Sequence, residues 1–204
     1  MVLEKQEIIR QSFDLFSQYG IKGVSMDDIA RNMKISKRTL YSYFSDKESL
    51  LLEGMVFISK EQIDYLLMLE KESHNVLDII LLMYERIMLK PRWYNPRFYE
   101  DLKRFPKAME HKEKEKTFYT QKCTELFQRG VEEGVFQKEV NVEIVALLTK
   151  EQLKMLHPSK TFSRHSNAEV YNTVLITFLR GICSDKGRQI LDRWIQVKHI
   201  QRIQ

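Results

Sequence analysis

The chain has 204 residues, 43% of them hydrophobic and 30% charged, a balance that excludes a disordered segment and leaves enough apolar surface for a sizeable core. Its 7 glycines and 4 prolines make up about 5% of the residues, where roughly 12% is usual, so long uninterrupted elements are expected. A net charge of +5 admits an anionic partner without naming one, and Cys123 and Cys183, with neither a CxxC nor a paired histidine, exclude a disulfide scaffold and a zinc knuckle.

No proline precedes Pro91, and up to that point apolar residues recur every three or four positions, the spacing of an all-α chain. The start, Met1-Val2-Leu3-Glu4-Lys5, lacks the apolar run of a signal peptide, and no stretch of 18 apolar residues follows, so a cytoplasmic protein without membrane contact is expected. A first helix is predicted from Leu3 to Tyr19, with Ile9, Phe13 and Phe16 on one face and Gly20 beyond its end to take a positive φ. Ser25-Met26-Asp27-Asp28 sets a serine cap and an acid three residues on, opening a second helix over Met26 to Met33. Ser36 caps a third over Lys37 to Phe44. Ser45-Asp46-Lys47-Glu48 reads as a capping box headed by Ser45, opening a fourth helix that runs to about Lys71. Further helices are predicted at 76–90, 97–104, 110–133, 141–156, 167–184 and 187–200, with Pro91, Trp93, Tyr94, Asn95 and Pro96 in an irregular connection. The functional boundary falls near residue 47: a head at 1–47 with its central motif at about 25–44, and a larger helical part at 48–204.

The segment between the second and third helices carries the chemistry. Ile29 with Met33, and Leu40 with Phe44, are apolar pairs four apart that can face one another across a short turn plugged by Ile35, while Ala30 is small enough for a close helix crossing. This helix-turn-helix arrangement leaves Lys37, Arg38, Thr39, Tyr41, Ser42 and Tyr43 pointing outward. Arg and Lys suit guanine edges or phosphates, hydroxyls suit phosphate oxygens, and a helix of this kind fits the major groove. Charge is focused on the same stretch: from Arg31 to Lys47 five basic residues stand against Asp46 alone, whereas the first 54 residues balance at 8 basic and 8 acidic. A solvated helix face is the plainer account of Lys37 and Arg38, but their place at the exposed start of a second helix favours DNA.

Residues 9 to 51 resemble the N-terminal domain of the TetR family of transcriptional regulators. The resemblance rests on the run Phe16-x-x-x-Gly20-Ile21-x-x-Val24-Ser25-Met26-x-x-Ile29-Ala30, followed by Ile35-Ser36-x-x-Thr39-Leu40-Tyr41-x-Tyr43-Phe44-x-x-Lys47-Glu48-x-Leu50. It implies an N-terminal three-helix DNA-binding domain followed by a helical effector-binding and dimerisation domain. By that resemblance Tyr41, Tyr43 and Lys47 face phosphate, Lys37, Arg38, Thr39 and Ser42 lie at or near base edges, and the capping residues Ser25 and Ser36 belong to the same DNA-facing set. It further implies a homodimer on a palindromic operator, a repressor released by a small-molecule effector, and no cofactor or metal. Two positions depart from the family: Lys34 stands where many members have glycine, and Tyr43 replaces a common histidine.

Beyond the head the residues say less. His74, His111, His157, His165 and His199 show no ligand spacing and are assigned to the surface, and Cys123 and Cys183 read as buried, inert thiols. Between Tyr84 and Tyr119 stand 8 of the 22 aromatic residues, which marks either ordinary core or an effector pocket drawn from Tyr84, Met88, Trp93, Phe98, Phe118 and Tyr119. The helices at 141–156 and 167–184 have two apolar sides, and Val145, Leu148, Val170, Val174, Phe178 and Gly181 are candidates for a dimer interface. An enzyme is disfavoured because no GxSxG, P-loop, HExxH or Rossmann glycine pattern occurs. A helical interaction module with an idle head is the competing class.

Overall fold

The computed structural model of the chain describes residues 5–89, 96–155 and 162–203. Ten helices follow one another among them: α1 (Lys5–Tyr19), α2 (Met26–Asn32), α3 (Lys37–Tyr43), α4 (Lys47–Glu72), α5 (Val76–Leu89), α6 (Pro96–Leu102), α7 (Pro106–Glu132), α8 (Val142–Met155), α9 (Asn167–Ile182) and α10 (Asp185–Ile203). Among the described residues the fold is all-α, with one isolated antiparallel bridge between Phe136 and Cys183. Among the described residues no helix is long and apolar enough to cross a membrane. The connection at 90–95, with Pro91, Trp93, Tyr94 and Asn95, lies outside the described residues.

Local signals account for the helix ends. α1 stops where Gly20 takes φ +78, its N–H donating to the Phe16 carbonyl at 2.9 Å. At α2 the Asp28 N–H donates to Ser25 Oγ at 3.1 Å and the Ser25 N–H to Asp28 Oδ2 at 2.9 Å, a complete capping box. Ser36 Oγ accepts from the Thr39 N–H at 3.0 Å and caps α3. The cap of α4 lies one residue later than the sequence suggests: Asp46 Oδ1 accepts from the Ser49 N–H at 2.7 Å, and the Asp46 N–H donates back to Ser49 Oγ at 3.2 Å. A carboxylate is the stronger acceptor at a positive helix end than the hydroxyl of Ser45. Glu48, expected to close that box, instead leaves Oε1 buried with no hydrogen-bond partner among the described residues. Pro96 and Pro106 each occupy the first position of a helix, where a missing N–H costs nothing.

The chain divides into two compact units, the first taking 1–65 with 91–117 and the second 66–90 with 118–204. In the first, Ile8, Phe13, Phe16, Ile21, Ile29, Leu40, Phe44, Leu50 and Leu51 share a core with Phe98 and Leu102 of α6 and Ala108 of α7. That unit is therefore larger than the head at 1–47. α1 and α4 approach closely at Gly54, where an added Cβ would lie 2.1 Å from the Phe13 ring. In the second unit Leu77, Leu81, Phe127, Phe136, Tyr171, Leu179 and Leu191 are buried. The turn after α7 is held to the α9–α10 junction: the Gln137 N–H donates to the Ile182 carbonyl and the Ser184 N–H to the Val135 carbonyl, both at 3.0 Å.

Candidate nucleic-acid interface

α2 and α3 turn their apolar sides into the first core. Ile29 and Leu40 are fully buried, Phe44 is 1% and Ala30 3% exposed, and Ile35 packs against the same cluster from the turn between the helices. The turn is tight: the Lys34 N–H donates to the Arg31 carbonyl at 3.2 Å and the Ile35 N–H to the Ala30 carbonyl at 3.0 Å. Closing it puts Lys34 at φ +54, the one positive φ of a non-glycine among the described residues. A left-handed backbone costs a residue with a Cβ about 1–2 kcal/mol.

With those faces inward, Lys37, Arg38, Thr39, Tyr41 and Ser42 of α3 are exposed, together with Ser25 and Ser36 at the caps. Tyr43 differs from its expected outward position. It is half-buried against the core, its ring centroid 6.4 Å from that of Phe44. Lys47 is also set inward: its ammonium donates to the Ile21 and Val24 carbonyls, both at 2.9 Å, and ties down the loop between α1 and α2. Burial pulls the Lys47 pKa below the ordinary lysine value, against the opposing charges of Asp101 and Asp28.

Ion pairs sort the remaining cations. Lys37 Nζ meets Asp27 Oδ2 at 2.5 Å and Arg31 Nη1 meets Asp28 Oδ1 at 3.3 Å, so two of the five basic side chains are answered by acids at the start of α2. Asp28 is held below the usual carboxylate range by the hydroxyl and N–H of Ser25. Lys34 and Arg38 are exposed and in no ion pair among the described residues. Arg38, near the start of α3, has the fork geometry that bonds two atoms of one guanine edge, with Thr39 and Ser42 hydroxyls on the same short helix.

Residues 8–53 match the family of bacterial regulatory proteins, tetR family. That match runs from α1 through α3 into the start of α4. Over 71 residues the chain is 32% identical to the biofilm operon icaADBC HTH-type negative transcriptional regulator IcaR of Staphylococcus aureus (strain Newman), covering 35% of this chain and 38% of that protein. Over 72 residues it is 29% identical to IcaR of Staphylococcus epidermidis, covering 35% and 39%. The matched stretch thus spans less than two fifths of these relatives' length. Over nearly the whole chain it resembles in fold the ketosteroid transcriptional regulator KstR2 of Mycobacterium tuberculosis, with a TM-score of 0.67, 17% identity and coverage of 91% and 97%. A TetR-family regulator from Marinobacter aquaeolei VT8 gives 0.72, 16% identity and coverage of 94% and 97%.

Behind the tetR-type head the predicted residues scatter. Tyr84 is buried in the second unit, stacked on Tyr171 at 5.1 Å with its hydroxyl on Asn172, whereas Phe98 is buried in the first core beside Phe13 and Tyr99. Phe118 is 41% exposed, edge-on to Tyr119. Trp93 and the Met88 side chain lie outside the described residues. A small apolar cavity of about 40 Å³ lies in the second unit among Ile80, Phe127, Thr149, Gln152, Tyr171, Val174, Leu175, Phe178 and Leu179. Val174 and Phe178, expected at a dimer interface, are among the residues that line it. Val145 and Val170 are buried, Gly181 is exposed, and Leu148 is 47% exposed beside Ile144 and Leu147 on the outer side of α8. Sequence reasoning missed Asp101 of α6, whose Oδ2 accepts from the Lys22 N–H at 2.7 Å, 79 positions away. It also placed His111 at the surface, whereas that ring is largely enclosed between α4 and α7. The Cys183 thiol is pushed up to about 11 by burial, as an inert thiol requires.

Proposed function

We propose that the protein is a sequence-specific, DNA-binding transcriptional regulator of the cytoplasm: a homodimeric repressor that a small-molecule effector releases from a palindromic operator. The observation that carries this reading is α3, a short helix with its apolar residues buried and Lys37, Arg38, Thr39, Tyr41 and Ser42 exposed, within a stretch that matches the tetR family. The IcaR relatives, named as negative regulators, support repression. Residues 1–47 read DNA in this proposal and 48–204 bind effector and form the dimer. Arg38, Lys37, Thr39 and Ser42 meet base edges, while Tyr41, Tyr43 and Lys47 serve the backbone contacts, with Ser25 and Ser36 at helix starts that can accept phosphate. Lys47 and Tyr43 act there mainly by holding the head in shape.

The exposed Ile144, Leu147 and Leu148 of α8, with the open side of Gly181 on α9, supply an apolar face for a second copy. The effector is assigned to the second unit, at the apolar cavity lined by Phe127, Tyr171, Phe178, Thr149 and Gln152, which at about 40 Å³ has to widen to admit it. An effector that favours one spacing of the two heads weakens DNA binding, and DNA weakens effector binding equally. The test is selection of bound duplexes from a random-sequence library by the purified chain at near-physiological salt. A two-fold symmetric consensus is the expected result. Enrichment without symmetry would remove the dimer, and an unenriched pool would remove the regulator.

A further inference from the structure

The first unit encloses a polar cluster that the DNA-reading head does not use. Ser59 of α4, 6% exposed, faces His111 and Glu115, which stand one turn apart on α7. The serine oxygen is paired with Glu115 Oε1 and lies 3.3 Å from His111 Nε2, and its hydroxyl reaches the Met55 carbonyl at 2.8 Å. His111 Nε2 is 3.8 Å from Glu115 Oε2, and the imidazole also reaches the Met55 carbonyl.

Counting hydrogens shows that this cluster has two states. A serine hydroxyl brings one hydrogen and two lone pairs. Of the three groups around Ser59 Oγ, the Met55 carbonyl can only accept. With the serine donating to Met55, Glu115 and His111 each have to bring a hydrogen, which a protonated carboxyl and an Nε2–H imidazole both do. An ionised Glu115 can only accept, so Ser59 must turn its hydrogen away from Met55 and toward the carboxylate. One proton on Glu115 therefore selects between a neutral chain in which Ser59 keeps its bond to the Met55 carbonyl and a charged one in which it gives that bond up to a half-buried carboxylate.

The surroundings leave that anion poorly compensated. Among the described residues Lys112 is the one charge that acts on Glu115, and its own ammonium lies 5.0 Å over the Tyr99 ring of α6, with Lys103, Glu113 and Lys116 around it. Lys114 acts on His111, and α4 contributes only the uncharged Ser59 and Met55 groups. Burial outweighs Lys112 and pushes the Glu115 carboxyl up to about 7, while burial also lowers His111.

We propose that Ser59, His111 and Glu115 form a proton-sensitive tie between α4 and α7, closed when Glu115 carries its proton and loosened when it does not, and that this tie biases the DNA-reading head. α4 starts at Lys47, close behind α3, and that same lysine holds the Ile21 and Val24 carbonyls of the head. The second half of the proposal rests on the regulator reading; the first does not.

Thermal unfolding of the full chain is followed from pH 5.5 to 8.5 at fixed ionic strength for the wild type and Glu115→Gln, which keeps a neutral, hydrogen-bonding side chain. Because the folded carboxyl is raised, its stabilising contribution is present below the ordinary carboxylate range and lost as pH rises through about 7. The wild-type melting temperature is expected to fall by about 4 °C relative to Glu115→Gln between pH 6 and pH 8. Superimposable pH profiles would overturn the tie. In the wild type, the carboxyl carbon of Glu115 followed by NMR should titrate near neutrality; a midpoint in the ordinary glutamate range would overturn it independently of any variant. On the selected duplex, affinity should change at least about threefold between pH 6 and 8 in the wild type and less in Glu115→Gln, a change worth about 0.7 kcal/mol. Equal pH dependence in both would sever the tie from the head. If no duplex is bound at any pH, the regulator reading fails while the unfolding and carboxyl measurements still decide the tie.

Discussion

Lys34 offers a direct test of how the helix-turn-helix turn is built. Its φ of +54 places a residue with a Cβ in the left-handed region, while its side chain is exposed and in no ion pair among the described residues. The strain is worth about 1–2 kcal/mol. Glycine removes it and gives back about 0.5–1 kcal/mol through the freer unfolded chain. Lys34→Gly should therefore stabilise the protein by about 0.5–1 kcal/mol. The substitution also removes a cation, so Lys34→Ala is the partner variant: it loses the same charge and keeps the strain. Urea unfolding followed by circular dichroism should put Lys34→Gly about 0.5–1 kcal/mol above Lys34→Ala. The two should share one salt dependence of DNA binding, since both lack the same charge. Equal stability of the two variants would refute a strained left-handed turn at this position.

Lys47→Ala removes both bonds to the Ile21 and Val24 carbonyls and should cost about 2 kcal/mol of stability, with affinity lowered alike on every duplex; unchanged urea midpoints would show that the ammonium does not hold the loop. Gly54→Ala drives a Cβ to within 2.1 Å of the Phe13 ring and should cost about 1–3 kcal/mol, partly restored by adding Phe13→Leu; a neutral effect on unfolding would mean that α1 and α4 are not in close contact. Leu148→Glu puts a charge on the apolar side of α8 and should convert a dimer to a monomer in sedimentation at micromolar concentration, whereas a monomeric wild type would contradict the dimer itself.

The parts of this fold that were legible in the sequence are those decided within a few residues. Ser25, Ser36 and Gly20 act through backbone groups next to them, and the structure realises each one. The four-residue apolar spacing of Ile29 with Met33 and of Leu40 with Phe44 settles which side of α2 and α3 is buried, and so which side is left exposed. Where two local signals overlapped, at Ser45 and Asp46, the charged acceptor took the cap and moved the register by one residue. Long-range geometry was not legible. Nothing near Lys47 announces that its partners are carbonyls more than twenty positions earlier, nor does aromatic density separate Phe98, part of the first core, from Tyr84, which stacks on Tyr171. The two apolar sides of α8 were evident, but only the packing shows that Val145 turns inward while Ile144, Leu147 and Leu148 stay out. His111 has no ligand motif because its partners, Ser59 and Glu115, come from two helices.

In the proposed function α3 reads bases and Arg38 is its principal reader. It is tested by measuring the affinity of the wild type and Arg38→Ala for the selected duplex and for a set of single base-pair variants of it, at several salt concentrations. Arg38→Ala should lose about 1–3 kcal/mol on the preferred duplex and flatten discrimination at one base pair of each half-site, leaving the other positions read as before. A uniform loss on every duplex, with discrimination intact at all positions, would contradict it and reduce Arg38 to a backbone contact.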